Sequence, residues 1–234
     1  MAGQNENPAF ELARLSAEAM EILLDEAEEP DMFEETLRLN GENREILKLL
    51  CGHPGTPPAV REEAARALGA GNPAGKKAAG PLEDKGPGQT EEAKRESIAK
   101  KIRSLTVGEK IRISMKAGRE ARALLLKDAN KQVVLGVMAN PRITISEVEM
   151  AARSRSMPEE ALREIAKNKE WVKSYTVICN LVSNAKTPAG VSLGFLPWIK
   201  SKDLHLLVRN KDVPDVVRTA ARKFAETRDR KRQS

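Results

Sequence analysis

Apolar residues recur along most of this chain at steps of three and four, the spacing that gathers them on one face of a helix. In the first seventy residues Leu12, Leu15, Ala19, Ile22 and Leu23 make one such stripe. Phe33 with Leu37, Ile46 with Leu47 and Leu50, and Val60 with Ala64, Ala65 and Leu68 make three more. Glu29-Pro30-Asp31, Asn40-Gly41 and the Pro/Gly-rich stretch 51–58 interrupt them, so four short amphipathic helices are predicted. Ten further stripes run from Ile98 to Phe224. Helix starts are legible too. Thr106 with Glu109, Ser146 with Glu149 and Ser156 with Glu159 fit the capping box, in which each side chain satisfies an orphan backbone N–H of the other. Thr56-Pro57, Thr187-Pro188 and Asp212-Val213-Pro214 read as cap-and-proline starts.

The stripes repeat. At an offset of 44, Val133, Val134, Val137, Met138 and Asn140 fall on Val177, Ile178, Leu181, Val182 and Asn184. At 42, Leu162, Ile165, Ala166 and Asn168 fall on Leu204, Leu207, Val208 and Asn210. Helices this short are unstable alone, and a single apolar stripe is buried only by stacking on neighbours. An all-α solenoid follows, with about three helices in each repeat of 40–44 residues. Leu162, Ile165, Val177, Ile178, Leu181 and Leu207 recur in phase and are its expected core.

The phrases Leu-x-x-Asn-x-x-Thr-Pro-x-x-Val at 181–191 and Val-x-x-x-Ala-Ala-Arg at 60–66 resemble HEAT-like repeats and, within them, the leucine-rich repeat variant class. The resemblance covers residues 119–226, and 43–69 more thinly. It implies an α-solenoid that binds other macromolecules. Members of the variant class can carry an iron–sulfur cluster on clustered cysteines; Cys51 and Cys179 stand far apart, so no cofactor is expected. Bacterial alkylpurine DNA glycosylases are also HEAT-like solenoids of about this size. Trp171, Tyr175 and Trp198 are the aromatic candidates for such a groove, but no local motif supports that activity.

Composition adds a domain plan. Residues 70–94 hold five glycines and three prolines with no apolar period, the composition of a flexible linker. Residues 1–69 carry 15 Asp+Glu against 6 Lys+Arg, and residues 95–234 carry 15 against 30. An acidic helical module (1–69), a linker (70–94), a basic repeat domain (95–226) and a basic tail (227–234) are therefore expected. No stretch is long and apolar enough to span a membrane, and the first residues lack the basic and apolar regions of a signal peptide, so a cytoplasmic address is expected.

Chemistry is sparse. No Gly-rich phosphate loop, His-Glu-x-x-His or Gly-x-Ser-x-Gly motif is present, and neither His53 nor His205 has metal-ligand spacing around it. The expectation is a non-enzymatic scaffold or adaptor that binds a protein, without cofactor or metal; the alternative is an RNA- or DNA-binding protein using residues 95–234. Arg142, Lys186, Arg209 and Lys211 recur at or beside the Asn-containing turns and, with Trp198, are the candidate partner-binding residues.

Overall fold

A computed structural model describes residues 12, 13, 15–27, 29–69 and 91–233. Among these residues there is no strand, and fourteen α-helices follow one another. They are α1 (Ala17–Asp25), α2 (Asp31–Leu39), α3 (Arg44–Gly52), α4 (Pro58–Ala67), α5 (Glu91–Ser104), α6 (Val107–Ser114), α7 (Arg119–Leu125), α8 (Lys131–Met138), α9 (Ile145–Arg153), α10 (Glu159–Lys167), α11 (Tyr175–Ser183), α12 (Ala189–Phe195), α13 (Ser201–Arg209) and α14 (Asp215–Gln233), with 3-10 turns at Trp171–Lys173 and Leu196–Trp198. The protein is an all-α helical repeat. Residues 70–90 of the expected linker lie outside the described residues, and 91–94 open α5. The expected basic tail continues α14 as far as Gln233.

Two compact units divide at Leu124/Leu125, not at the compositional break near residue 94. Helices α5 and α6 pack on α1 with Ile98, Ile102 and Ile113 buried, and charge and capping add to this. Lys101 on α5 pairs with Asp25 (2.7 Å) and Glu21 (3.2 Å) of α1, and Lys116 pairs with Glu35 of α2 (3.1 Å). Glu26, at the end of α1, accepts from the Glu120 (2.7 Å) and Ala121 (3.3 Å) amides and so caps α7. Basic segments that composition assigns to the second domain therefore fold onto the acidic helices of the first unit. The fit at Gly118 is close: a Cβ there would lie 2.4 Å from the Glu26 Cβ.

In the second unit α8 packs on α10, α9 on α11, α12 on α14 and α13 on α14. Helix α11 separates two cores. Val177 and Leu181 join Val134, Val148, Leu162 and Ile165 on one side. Ile178 and Val182 join Leu196, Ile199, Leu204, Leu207 and Val217 on the other. All six expected core positions are buried.

One turn joins successive helices. In it the residue after a helix accepts, through its side chain, the N–H two residues on, its carbonyl accepts the N–H three residues on, and the next helix is capped one residue later. Asn140 takes the Arg142 amide (2.8 Å), Ser154 that of Ser156 (3.3 Å), Asn184 that of Lys186 (3.0 Å) and Asn210 that of Asp212 (3.0 Å). His53 Nδ1 does the same for Gly55 (3.2 Å). The carbonyl bonds run to Ile143, Met157, Thr187, Val213 and Thr56, the last four of them buried. Asp128 and Asn168 accept the amides two residues on in the α7–α8 and α10–α11 connections. The 40–44-residue offset of the sequence is thus three helix-and-turn steps.

This turn corrects several caps. The residue expected to cap is often the buried plug one position earlier: Thr56 and Thr187 are buried without a hydrogen-bond partner for their hydroxyls, and Pro57 and Pro188 occupy the caps. Pro158 displaces Ser156, and Asp212 pairs with Arg155 instead of capping α14. The box expected at Ser146–Glu149 is formed by Thr144 and Glu147, while Thr106–Glu109 is as expected. The cysteines are half-buried.

Leu162→Ala should cost about 2–5 kcal/mol, because Leu162 is wholly buried. Gly118→Ala should cost about 1 kcal/mol or more by displacing the Glu26 cap. Denaturant midpoints of the full chain check both. A second expectation concerns acid. Hydrogen bonds from Ser16 and then Thr106 lower the Glu109 carboxyl from 4.5 to about 2. A depressed folded pKa means stabilisation that is complete above about pH 4.5 and lost as pH falls through about 2. Melting of the chain and of Glu109→Gln between pH 6 and pH 2 should show their difference shrinking across that window.

Candidate partner-binding surface

The regular turn gives three of the five expected residues one structural address. Arg142, Lys186 and Trp198 each stand two residues past the position that closes a helix, at Asn140, Asn184 and Leu196. Lys211 is one residue past Asn210, and Arg209 is the last residue of α13. All five side chains are exposed. The Asn residues themselves are structural. Asn184 also donates through Nδ2 to the Ala152 (2.8 Å) and Ser154 (3.0 Å) carbonyls and so ties α11 to the end of α9.

These ties decide which candidates meet. The Asn184 bonds and the Arg155–Asp212 ion pair bring the α9–α10, α11–α12 and α13–α14 turns to one edge. Lys186, Arg209 and Lys211 belong to that edge and form no ion pair with the described residues. Arg142 precedes the other end of α9, and Trp198 the other end of α13; nine residues span about 13 Å along a helix axis, so neither joins the group.

The turn carrying Trp198 is the exception to the rule. Its closing residue is Leu196, fully buried, whose side chain has no acceptor to offer although its carbonyl takes the Ile199 amide. Other elements hold the loop instead. Arg228 of α14 donates to the Pro197 carbonyl (2.5 Å) and to the Ile199 carbonyl. The Lys200 amide donates to Tyr175 Oη (2.9 Å), whose own proton goes to Asp203 (2.5 Å), and the Lys200 ammonium lies 4.5 Å from the Tyr175 ring centroid. Burial and the Asp203 bond push the Tyr175 phenol well above its ordinary range, so it stays a neutral donor; burial likewise raises the Cys179 thiol. With Leu196 and Ile199 as buried anchors, the Trp198 indole is left 67% exposed. A cleft of about 140 Å³ along α11 and α13 is lined by Cys179, Ser183, Ile199, Asp203, Leu206, Leu207 and Asn210.

Sequence reading named Tyr175 only among the aromatic candidates for a groove and placed Arg228 in the basic tail. One signal was available: the helix-and-turn step calls for a polar residue at 196, and the sequence has Leu. His53 has no free nitrogen for catalysis, since Nδ1 accepts from Gly55 and Nε2 is left to donate to Asp25 (3.1 Å). Among the described residues no three His, Cys, Asp or Glu side chains gather as a metal set, and no helix is long and apolar enough to cross a membrane. Compared with known proteins, the chain matches no family model, no curated protein and no solved structure.

Tyr175→Phe removes the acceptor for the Lys200 amide and the donor to Asp203. A loss of about 1 kcal/mol per bond is expected. Trp198 should also move more freely, which lower fluorescence anisotropy would register.

Proposed function

We propose that this chain is a HEAT-like helical-repeat adaptor, non-enzymatic and cytoplasmic, that binds a protein through its second unit. One observation carries the reading: Arg228, on the Pro197 and Ile199 carbonyls, and Tyr175, on the Lys200 amide, hold a loop that lacks the side-chain closure of the other turns, and the loop presents an exposed tryptophan. Folding alone gains little from an indole left in water. Binding gains much, because tryptophans in rigid settings dominate interface energies and lose little conformational freedom when covered.

The basic edge supports a second reading. Residues 125–234 carry 21 Lys+Arg against 12 Asp+Glu, and Lys186, Arg209 and Lys211 share an edge without acidic partners among the described residues. A row of such charges suits nucleic-acid phosphates, with affinity that falls steeply as salt rises.

Affinity capture from the native cell separates the two. Wild-type chain should retain a protein through nuclease treatment and moderate salt, and Trp198→Ala should lose it without a change in melting. Capture abolished by nuclease, and by charge removal at Lys186, Arg209 and Lys211, would establish the nucleic-acid reading instead.

A further inference from the structure

The edge at which α9, α11 and α13 end and α10, α12 and α14 begin carries more positive charge than its turns need. Arg153 is the last residue of α9 and Arg155 follows it, Lys186 stands in the α11–α12 turn, and Arg209 is the last residue of α13 with Lys211 after it. All five are exposed. The acids there are committed: Asp212 to Arg155, and Asp215 at the start of α14 to Arg218. Arg153, Lys186, Arg209 and Lys211 form no ion pair with the described residues. A cation at a helix end offsets the dipole there. That accounts for one on each helix, whereas α9 and α13 each bring two.

No Phe, Tyr or Trp of this unit stands at the edge. Trp171 and Tyr175 lie at the start of α11, Phe195 at the end of α12 and Trp198 before α13, each the opposite end from the edge. Phe224 is nine residues into α14, about 13 Å along its axis. Single strands held without sequence preference stack their bases on aromatic side chains. With none available, phosphate charge is what remains to bind, and it is densest on a duplex. A protein interface needs an apolar centre. Within two residues of these helix ends Val216 is the one large exposed apolar side chain among the described residues.

We propose, resting on the nucleic-acid reading above and not on Trp198, that this edge takes the phosphate backbone of a nucleic-acid duplex. Its lysines and arginines donate to phosphate oxygens, contacts that hold a duplex in place and carry no base sequence.

Fluorescence anisotropy of the full chain tests this with labelled DNA and RNA duplexes of about 20 base pairs, an oligo-dT strand and a poly-Glu peptide of matching length. At low salt both duplexes should bind at least fivefold tighter than oligo-dT or poly-Glu, and a change of base sequence should alter affinity less than twofold. With four phosphates engaged, the duplex affinity should fall roughly a hundredfold between 50 and 200 mM salt. Lys186→Gln with Arg209→Gln and Lys211→Gln should weaken duplex binding tenfold or more and reduce the salt slope by about 2–3, without a change in melting. Lys169→Gln with Lys202→Gln, which removes exposed charge at the opposite ends of α10 and α13, should change it less than twofold. Poly-Glu binding as tightly as the duplexes, or a triple variant that binds duplex like the wild type, would overturn the proposal. Oligo-dT binding as tightly as the duplexes and lost in the triple variant would leave the nucleic-acid reading standing and remove the duplex. Binding of neither nucleic acid would remove both and leave the protein-adaptor reading to its own capture test with Trp198→Ala.

Discussion

Everything in the second unit hangs on one local bond: a side chain closing a helix accepts the amide two residues further on. That bond uses an N–H which the broken helix would leave unpaired, and it reverses the chain in about five residues. Asn suits the position because its oxygen makes the turn while its amide remains free, and Asn184 spends that amide on the carbonyls ending α9. A local turn thereby becomes a contact between layers. Ser154 and His53 make the turn with other acceptors, which shows that geometry and not residue identity is what recurs.

Short helices closed in this way have too little surface to be stable alone, so stability comes from burial between layers. Helix α11 carries most of this coupling. Its apolar residues point in two directions, Val177 and Leu181 into one core and Ile178 and Val182 into the next. A helix apolar on two sides has no solvent face to spare. Its polar residues are accordingly at its ends and along one line, where Asn180 donates to the Glu149 carbonyl (2.9 Å). The first unit also buries an apolar core, with Met20, Ile22, Ile46, Leu50, Ile98 and Ile113 in it, and adds ion pairs and a glutamate cap across more than ninety residues of sequence.

The candidate surface arises where the turn rule is broken. Leu196 continues the core where Asn would have closed the turn, and the loop is held through other atoms, by Arg228 on the Pro197 and Ile199 carbonyls and by Tyr175 on the Lys200 amide. Trp198 stands exposed on this loop, at the turn position that Arg142 and Lys186 occupy elsewhere, with the backbone on both sides of it bonded. That combination of exposure and rigidity is what separates Trp198 from other exposed apolar residues such as Val216, which lies on a helix face near the start of α14.

How much of this was written in the sequence depends on range. The apolar period and the proline and glycine breaks determined the helices, and the recurring Val, Leu and Asn determined that they repeat and which residues are core. Those features act over one or two turns of helix, where spacing and burial are tied by geometry. Caps were legible only to within a residue or two, because a Thr before Pro serves equally as cap or as buried plug, and only packing chooses. The domain boundary and the grouping of basic residues were decided by tertiary structure alone. Lys101 reaching Asp25, Asn184 reaching Ser154 and Arg228 reaching Pro197 each join positions about thirty or more residues apart. No periodicity encodes such pairs, because which helix ends become neighbours depends on how the layers stack.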